Sequence, residues 1–215
     1  MGAASHVPKP WPGATLPTTS HTDDPFTGHM AEAWITSRQN ISPKRLEAPG
    51  PDVSQLQQIF RSAASAPDHG LVKPWRFVIV PQDKRALLAE VFALALVDRD
   101  PGATLEQIES AREKAHRAPA LMLVVAQLGA CEPPIPALER MVSVGAAVQN
   151  MLLMAHGQGF GSSLTSGQAM QSTRMRQLFG LATGEEAVCF LNIGTVSRRK
   201  TQRRHPEVHS FVSTL

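Results

Sequence analysis

The chain of 215 residues lacks tyrosine altogether and contains only three tryptophans and eight phenylalanines. Aliphatic residues supply most of its apolar content, and this composition predicts a globular protein with helices. Its two cysteines, Cys131 and Cys189, lie far apart and form no Cys-x-x-Cys pair. We therefore expect reduced thiols and no structural zinc site, as in a cytoplasmic protein.

The sequence also lacks a long uninterrupted apolar run. No apolar segment follows a charged start, so a secretory signal is not expected. The longest apolar helical pattern, 138–156, is interrupted by Gln149 and Asn150. A span of that kind is expected in a protein core or a subunit interface and not across a membrane.

Residues 1–29 differ in composition from the rest of the chain, because proline, threonine, serine and histidine dominate them. A segment of this kind forms neither a periodic helix nor a periodic strand. We predict an N-terminal extension over 1–29 that is disordered or wraps around a partner subunit. Residues 30–215 are predicted to form one domain.

Hydrophobic periodicity and capping residues predict the secondary structure of this domain. Asp52 and Thr104 are expected to begin two of the helices. Helices are predicted over 30–38, 53–64, 84–98, 104–117, 138–156 and 173–179, and buried strands over 76–80, 120–126 and 188–194.

A turn rich in functional groups joins the second helix to the first strand. It contains Asp68, His69, Gly70 and Lys73 between two prolines. Turns held by rigid elements often carry functional side chains. Taken alone, His69 is either a general acid–base group paired with Asp68 or a structural hydrogen-bonding residue.

Three glycines, Gly157, Gly159 and Gly161, follow the longest helical pattern. A dinucleotide fingerprint follows a strand, so this spacing does not predict a Rossmann site. The segment is still a place where backbone amides can approach a flat ligand. No Gly-x-Ser-x-Gly segment occurs, so the nucleophile elbow of hydrolases is not predicted.

Basic residues cluster near the C-terminus, where Arg198, Arg199, Lys200, Arg203 and Arg204 lie close together. One interpretation is a solvated surface or a weak nucleic-acid patch, although no aromatic stacking residues surround the cluster. The other is a phosphate clamp in which Arg38 joins the cluster, because guanidinium groups bind phosphate oxygens in pairs. The second interpretation predicts a site for a phosphorylated planar cofactor.

Six short segments occur in an order and spacing that are specific as a set. They are Ser37-Arg38, the stretch from Ala66-Pro67-Asp68-His69 to Lys73-Pro74-Trp75, Arg117-Ala-Pro119, Gly145-x-x-x-Gln-Asn, Gly157-x-Gly159-Phe-Gly161 and Ile193-Gly194-Thr195. This set resembles the nitroreductase family, in particular its small YdjA-type subgroup, and the resemblance covers about residues 30–215.

The resemblance implies an α+β fold, a three-layer sandwich in which helices flank a central, mostly antiparallel sheet. It also implies an intertwined homodimer with FMN at the interface, contacted by both chains. By analogy with the family, the partner subunit supplies Ser65 and His69 to the flavin. The proposed FMN contacts are Arg38, Gln39, Asn40, Ser65, His69, Leu164, Thr165, Ser166, Arg198, Arg199 and Arg203, with Lys73 able to tune the flavin.

The resemblance further places the nicotinamide nucleotide at Met154, Ala155, His156, Gly157, Gln158 and Gly159. It implies that NADH or NADPH reduces FMN, which then reduces a small electron-poor acceptor, a nitroaromatic or a quinone, in a ping-pong cycle. No side-chain nucleophile, metal, nucleic acid or membrane is required.

This chain departs from the family pattern at several flavin positions. Gln39 and Asn40 replace the second arginine and the serine of an Arg-Arg-Ser segment, Ser65 replaces an arginine, and Leu164-Thr165 replaces Trp-Arg. Each charged hydrogen bond to phosphate contributes roughly 1.5–3 kcal/mol. The alternative function is therefore a protein of this fold that binds FMN weakly and acts as a non-catalytic ligand-binding protein.

Overall fold

The computed structural model describes residues 9–10, 25–199, 201 and 204–215, and for 9–10 and 25–27 it describes the backbone alone. The described residues divide into two units, a larger one of residues 33–199 and a smaller one drawn from 1–32 and 201–215. In the smaller unit, strand β1 (Lys9–Pro10) pairs antiparallel with strand β7 (Ser213–Thr214).

The larger unit contains a five-stranded sheet and most of the helices. Its strands are β2 (Leu46–Glu47), β3 (Trp75–Ile79), β4 (Ala120–Gln127), β5 (Gly161–Thr165) and β6 (Glu185–Val196). The strand order is β2-β6-β4-β3. Strand β5 also pairs with β6, at the residues directly before Thr195 and Val196, which pair with β2. All four of these strand pairings are antiparallel.

The described residues form six α-helices. They are α1 (Pro25–Ser37), α2 (Val53–Ala63), α3 (Arg85–Arg99), α4 (Leu105–Glu113), α5 (Ala137–Gly157) and α6 (Thr173–Phe179).

Side-chain alternation along the central strands builds two separate cores. Met122, Val124 and Ala126 of β4 pack on one face with α2 and α5. Leu121 and Leu123 of the same strand pack on the other face with α3 and α6. Successive residues of a strand point to opposite faces, so a strand that is apolar throughout requires a helical layer on each side. The predicted three-layer α+β sandwich is confirmed.

The predicted capping residues begin their helices. The Asp52 carboxylate accepts a hydrogen bond from the Gln55 N–H, and the Gln55 side chain accepts one from the Asp52 N–H. Thr104 and Gln107 form the same reciprocal pair at the start of α4. Each pair satisfies two backbone donors, which fixes where the helix begins.

Two strand predictions require correction. The strand predicted over 76–80 is β3, which lies at the sheet edge with half-buried side chains and an exposed Ile79, since only β4 pairs with it. The segment predicted as a glycine-rich turn contains strand β5. Glycine fits at position 161 of β5 because a Cβ there would collide with the side chains of Val196 in β6 and Leu46 in β2.

Neither cysteine forms a disulfide, and Cys189 is buried in the sheet. Burial raises the pKa of the Cys189 thiol to about 11, so it stays protonated near neutral pH. The described residues include no cluster of three metal-ligating side chains. No helix within the described ranges has the length and apolarity that crossing a membrane requires.

A buried arginine joins α3 to the segment that enters β4. Arg85 is 1% exposed, and its guanidinium donates hydrogen bonds to the carbonyl oxygens of Val80 (2.9 Å), Ala115 (2.6 Å), Ala118 (3.1 Å) and Pro119 (3.2 Å). Those carbonyls belong to the connections that follow β3 and precede β4. The arginine therefore replaces water as their hydrogen-bond donor inside the fold.

We predict that Arg85→Ala lowers the free energy of unfolding by about 3–5 kcal/mol, because four carbonyl oxygens lose a donor and a cavity is left. Urea denaturation followed by circular dichroism measures this. The control is Arg174→Ala, which removes an exposed ion pair with Asp98 and should leave the denaturation midpoint near that of the wild type. Equal midpoints for the two variants would contradict the structural role of Arg85.

Candidate functional site

A cavity with a volume of about 490 Å³ lies beside the C-terminal end of β5. Its charged lining residues are Arg99, Lys114 and Arg117, and none of its described lining residues carries a carboxylate. The full lining consists of Pro43, Phe92, Leu96, Arg99, Ala111, Lys114, Arg117, Leu121, Thr165, Ser166, Gly167, Gln168, Ala169, Met170, Phe190 and Asn192. This large cavity suits a ligand with an apolar body and acceptor atoms.

The polar groups of the large cavity are held by the ends of secondary-structure elements. Lys114 begins a 3₁₀ turn that follows α4, and Arg117 follows that turn. The Arg117 Nε is buried and has no hydrogen-bond partner among the described residues. On the opposite wall, the Asn192 side-chain amide donates to Thr165 Oγ1 at 3.0 Å. Arg117 therefore has an unused donor at the cavity.

A second, smaller cavity lies at the N-terminal end of β5. Its polar lining residues are Arg38, Gln39, His156, Ser162 and Arg199. Buried atoms of three of these residues lack a hydrogen-bond partner among the described residues, namely Arg38 Nε, Gln39 Oε1 and Ser162 Oγ. Because buried polar atoms are nearly always paired in folded proteins, these atoms indicate a site for a polar ligand. Two arginines among five polar groups favour an anion.

Strand β5 connects the two cavities. Ser162 lines the small cavity and Thr165 lines the large one. Three residues of extended chain span roughly 10 Å. On one side β5 pairs with β6, and on the other the Ile41 N–H donates to the Ser162 carbonyl at 3.0 Å. The two cavities, of about 490 Å³ and about 10 Å³, therefore lie at opposite ends of β5.

His156 lies in the last turn of α5, beside the arginines of the small cavity. Its Nε2 is 2.9 Å from the hydroxyl of Ser37, and its ring meets Trp34 edge to face. Partial burial, and then the positive charges of Arg199 and Arg38, hold the pKa of His156 below its usual value. A neutral imidazole is therefore favoured while the cavity contains no anion.

The turn between α2 and β3 lies at the other end of α5. His69 Nδ1 is 2.6 Å from a carboxylate oxygen of Glu139, in the first turn of α5. Glu139 and His156 are 17 residues apart on one helix, which corresponds to roughly 25 Å. Within one chain, the exposed Ser65, His69 and Lys73 are therefore not brought together with the small cavity.

The segment predicted to bind a nicotinamide nucleotide is partly covered by the chain itself. Ala155 is fully buried, and Trp34 lies directly against Gly157. The Gln158 amide donates to the Gln55 carbonyl and to the Gln58 side chain. Met154 and Gly159 are exposed and His156 lines the small cavity.

The remaining residues predicted to contact FMN do not lie together. Arg198 and Arg199 are both exposed, but only Arg199 lines the small cavity, and Arg198 lines neither cavity. Asn40 is exposed at the edge of β5, and Leu164 is 41% exposed on β5. Arg203 lies outside the described residues.

The sequence analysis missed three cationic residues of the large cavity, Arg99, Lys114 and Arg117, and the buried Asn192. The spacing of Lys114 and Arg117 is typical of the solvated side of a helix end, and only the packing of α3, α4 and β5 reveals the cavity they line. The one available signal was the Arg117-Ala-Pro119 segment.

Comparisons with known proteins agree with this architecture. A Haemophilus influenzae protein provisionally named an NAD(P)H nitroreductase is 32% identical over 182 residues, which cover 84% of this chain and 97% of that protein. The Escherichia coli K12 protein YdjA, which is also provisionally named an NAD(P)H nitroreductase, is 33% identical over 175 residues. These residues cover 80% of this chain and 93% of YdjA.

A solved structure of a nitroreductase-like family protein from Bacillus cereus superposes with a TM-score of 0.74 at 17% identity, covering 86% of this chain and 95% of that one. The family model described as the nitroreductase family matches residues 37–195. That span includes the whole of α5 and all residues that line the two cavities except Val196 and Arg199. On these grounds the chain belongs to the nitroreductase family.

Proposed function

We propose that the protein is an FMN-dependent oxidoreductase that takes electrons from NADH or NADPH and passes them to a small electron-poor acceptor, a nitroaromatic or a quinone. The observation that carries this proposal is the pair of cation-lined cavities joined by β5. Unpaired buried polar atoms in both cavities fit a cofactor with a phosphate end and a planar ring. Membership of the nitroreductase family supports the same function.

The residues that line the small cavity would contact the phosphate of FMN from one side, since its volume of about 10 Å³ does not enclose the group. Arg38 and Arg199 supply positive charge from distant parts of the chain, and the unpaired Ser162 hydroxyl supplies a further donor. Charge-assisted hydrogen bonds of this type are stronger than neutral ones. The substitution of Gln39 for an arginine removes one charge but leaves this pair intact.

The large cavity would hold the flavin ring. Phe92, Leu96 and Met170 give it an apolar wall, while Lys114 and Arg117 place cations at its polar side. Bound FMN supplies the redox chemistry, since it accepts a hydride and passes electrons to a second substrate. Lys114 and Arg117 would stabilise negative charge on the reduced ring, because fixed cations need no rearrangement when charge develops. Lys73 could act only from the partner chain.

A homodimer would complete the site. His69 contacts Glu139, which lies roughly 25 Å along α5 from His156 of the small cavity, so His69 would reach FMN from a partner subunit. The same helix exposes Leu138 (82%) and Val142 (71%), with Gly145 one turn further along. This i, i+4, i+7 spacing forms an apolar surface stripe suited to a second copy.

We predict that Arg199→Ala raises the dissociation constant for FMN roughly 10- to 100-fold, because the phosphate loses a charged donor. The matched control is Arg198→Ala, since Arg198 is exposed and lines neither cavity. Quenching of flavin fluorescence on titration measures both constants. If Arg198→Ala weakened binding as much as Arg199→Ala, the small cavity would not be the phosphate site.

We also predict that the FMN-loaded protein oxidises NADH or NADPH under anaerobic conditions and turns over with a quinone or a nitroaromatic. Flavin absorbance follows the first step, and steady-state oxidation at 340 nm follows the second. Lys114→Met should lower the turnover number more than FMN affinity, because the charge acts on the reduced ring. Bound FMN that is never reduced by either nucleotide would instead support the non-catalytic ligand-binding protein.

A further inference from the structure

The small cavity contains one polar group that neither the phosphate clamp nor the redox chemistry uses. His156 lines the cavity together with Arg38, Arg199 and Ser162. It belongs to the segment assigned by resemblance to the nicotinamide nucleotide, yet Trp34 and the Gln158 hydrogen bonds occupy much of that segment. The His156 imidazole therefore lies in the small cavity but has no function in the site as proposed so far.

We propose that His156 is a third phosphate ligand, which takes up a proton when FMN binds and thereby replaces the charge that Gln39 does not supply. This inference rests on the proposed function, because it takes the FMN phosphate as the anion of the small cavity. It assigns to His156 a partner different from the nicotinamide nucleotide.

The hydrogen bonding of His156 fits a change of protonation. Its Nε2 faces the Ser37 hydroxyl at 2.9 Å. A hydroxyl both donates and accepts, so Ser37 can serve the neutral ring and the imidazolium alike. No described residue makes a hydrogen bond to Nδ1, which leaves that nitrogen for a ligand. The C-terminal end of a helix, where His156 lies, also favours a positive charge.

The charges around His156 determine the direction of the effect. Trp34 and Ser37 of α1 are uncharged, so the charged groups described around the ring are Arg38, after α1, and Arg199, after β6. Without an anion, burial lowers the pKa of His156 most, and the charges of Arg199 and Arg38 lower it further. A bound phosphate would offset them and raise this pKa. Binding would therefore take up a proton at a pH between the two pKa values, and affinity would rise as the pH falls through that range.

Isothermal titration calorimetry of the wild-type protein with FMN tests the proposal. Titrations at pH 7 in two buffers with different ionisation enthalpies give the number of protons taken up. Riboflavin, which has no phosphate, is the control ligand. His156→Gln should reduce proton uptake relative to the wild type and raise the FMN dissociation constant roughly 10-fold, while the riboflavin constant changes less than about twofold.

Two further variants guard against a structural effect of the substitution. His156→Arg restores a fixed charge, so it should bind FMN more tightly than His156→Gln while taking up no more protons. His116→Gln, which alters an exposed histidine outside both cavities, should match the wild type.

Proton uptake and FMN affinity that are unchanged in His156→Gln would overturn the role of His156 while leaving the proposed function intact. The same holds for a riboflavin affinity that falls as far as the FMN affinity, because the lost contact would then not involve phosphate. A wild-type protein that binds no FMN at all would contradict the proposed function itself, and the inference with it.

Discussion

The position of β5 is the constraint on which the site depends. This strand lies between the chain at Asn40 and Ile41 on one side and β6 on the other. Its backbone pairing places Ser162 in the small cavity and Thr165 in the large one. Because Gly161 has no side chain, the side chains of Val196 and Leu46 can pack directly against β5. The two cavities are thereby held at a fixed spacing by main-chain hydrogen bonds.

The long helix α5 separates two sets of functional residues. Glu139 at its start holds His69, and His156 at its end borders the small cavity. Because a helix of this length is rigid on the scale of a cofactor, the two sets cannot meet within one chain. The proposed homodimer would resolve this separation, since the turn of one chain would meet the cavities of the other. A second copy would also cover Leu138 and Val142, the exposed apolar residues of α5.

Much of the fold could be predicted from the sequence, because capping residues and periodicity are local signals. Asp52 and Thr104 marked two helix starts, and the apolar run at 120–126 is the central strand β4. β5 was missed because glycine and serine have low strand propensity, and its pairing with β6 is a tertiary contact. The sequence suggested that Arg38 and C-terminal arginines share a site, and the structure places Arg38 with Arg199. Lys114 and Arg117 could not be found this way, because their cavity exists only once α3, α4 and β5 have packed.

The proposal that one FMN site is built from two chains is tested most directly by mixing two defective variants. Arg38→Ala removes a cavity residue and His69→Ala removes the partner's contact, so each homodimer should bind FMN weakly. A purified hybrid dimer of the two, isolated with different affinity tags, should contain one intact site and bind one FMN per dimer with wild-type affinity. A hybrid that binds FMN no better than either homodimer would contradict the account, because both residues would then serve the site of their own chain.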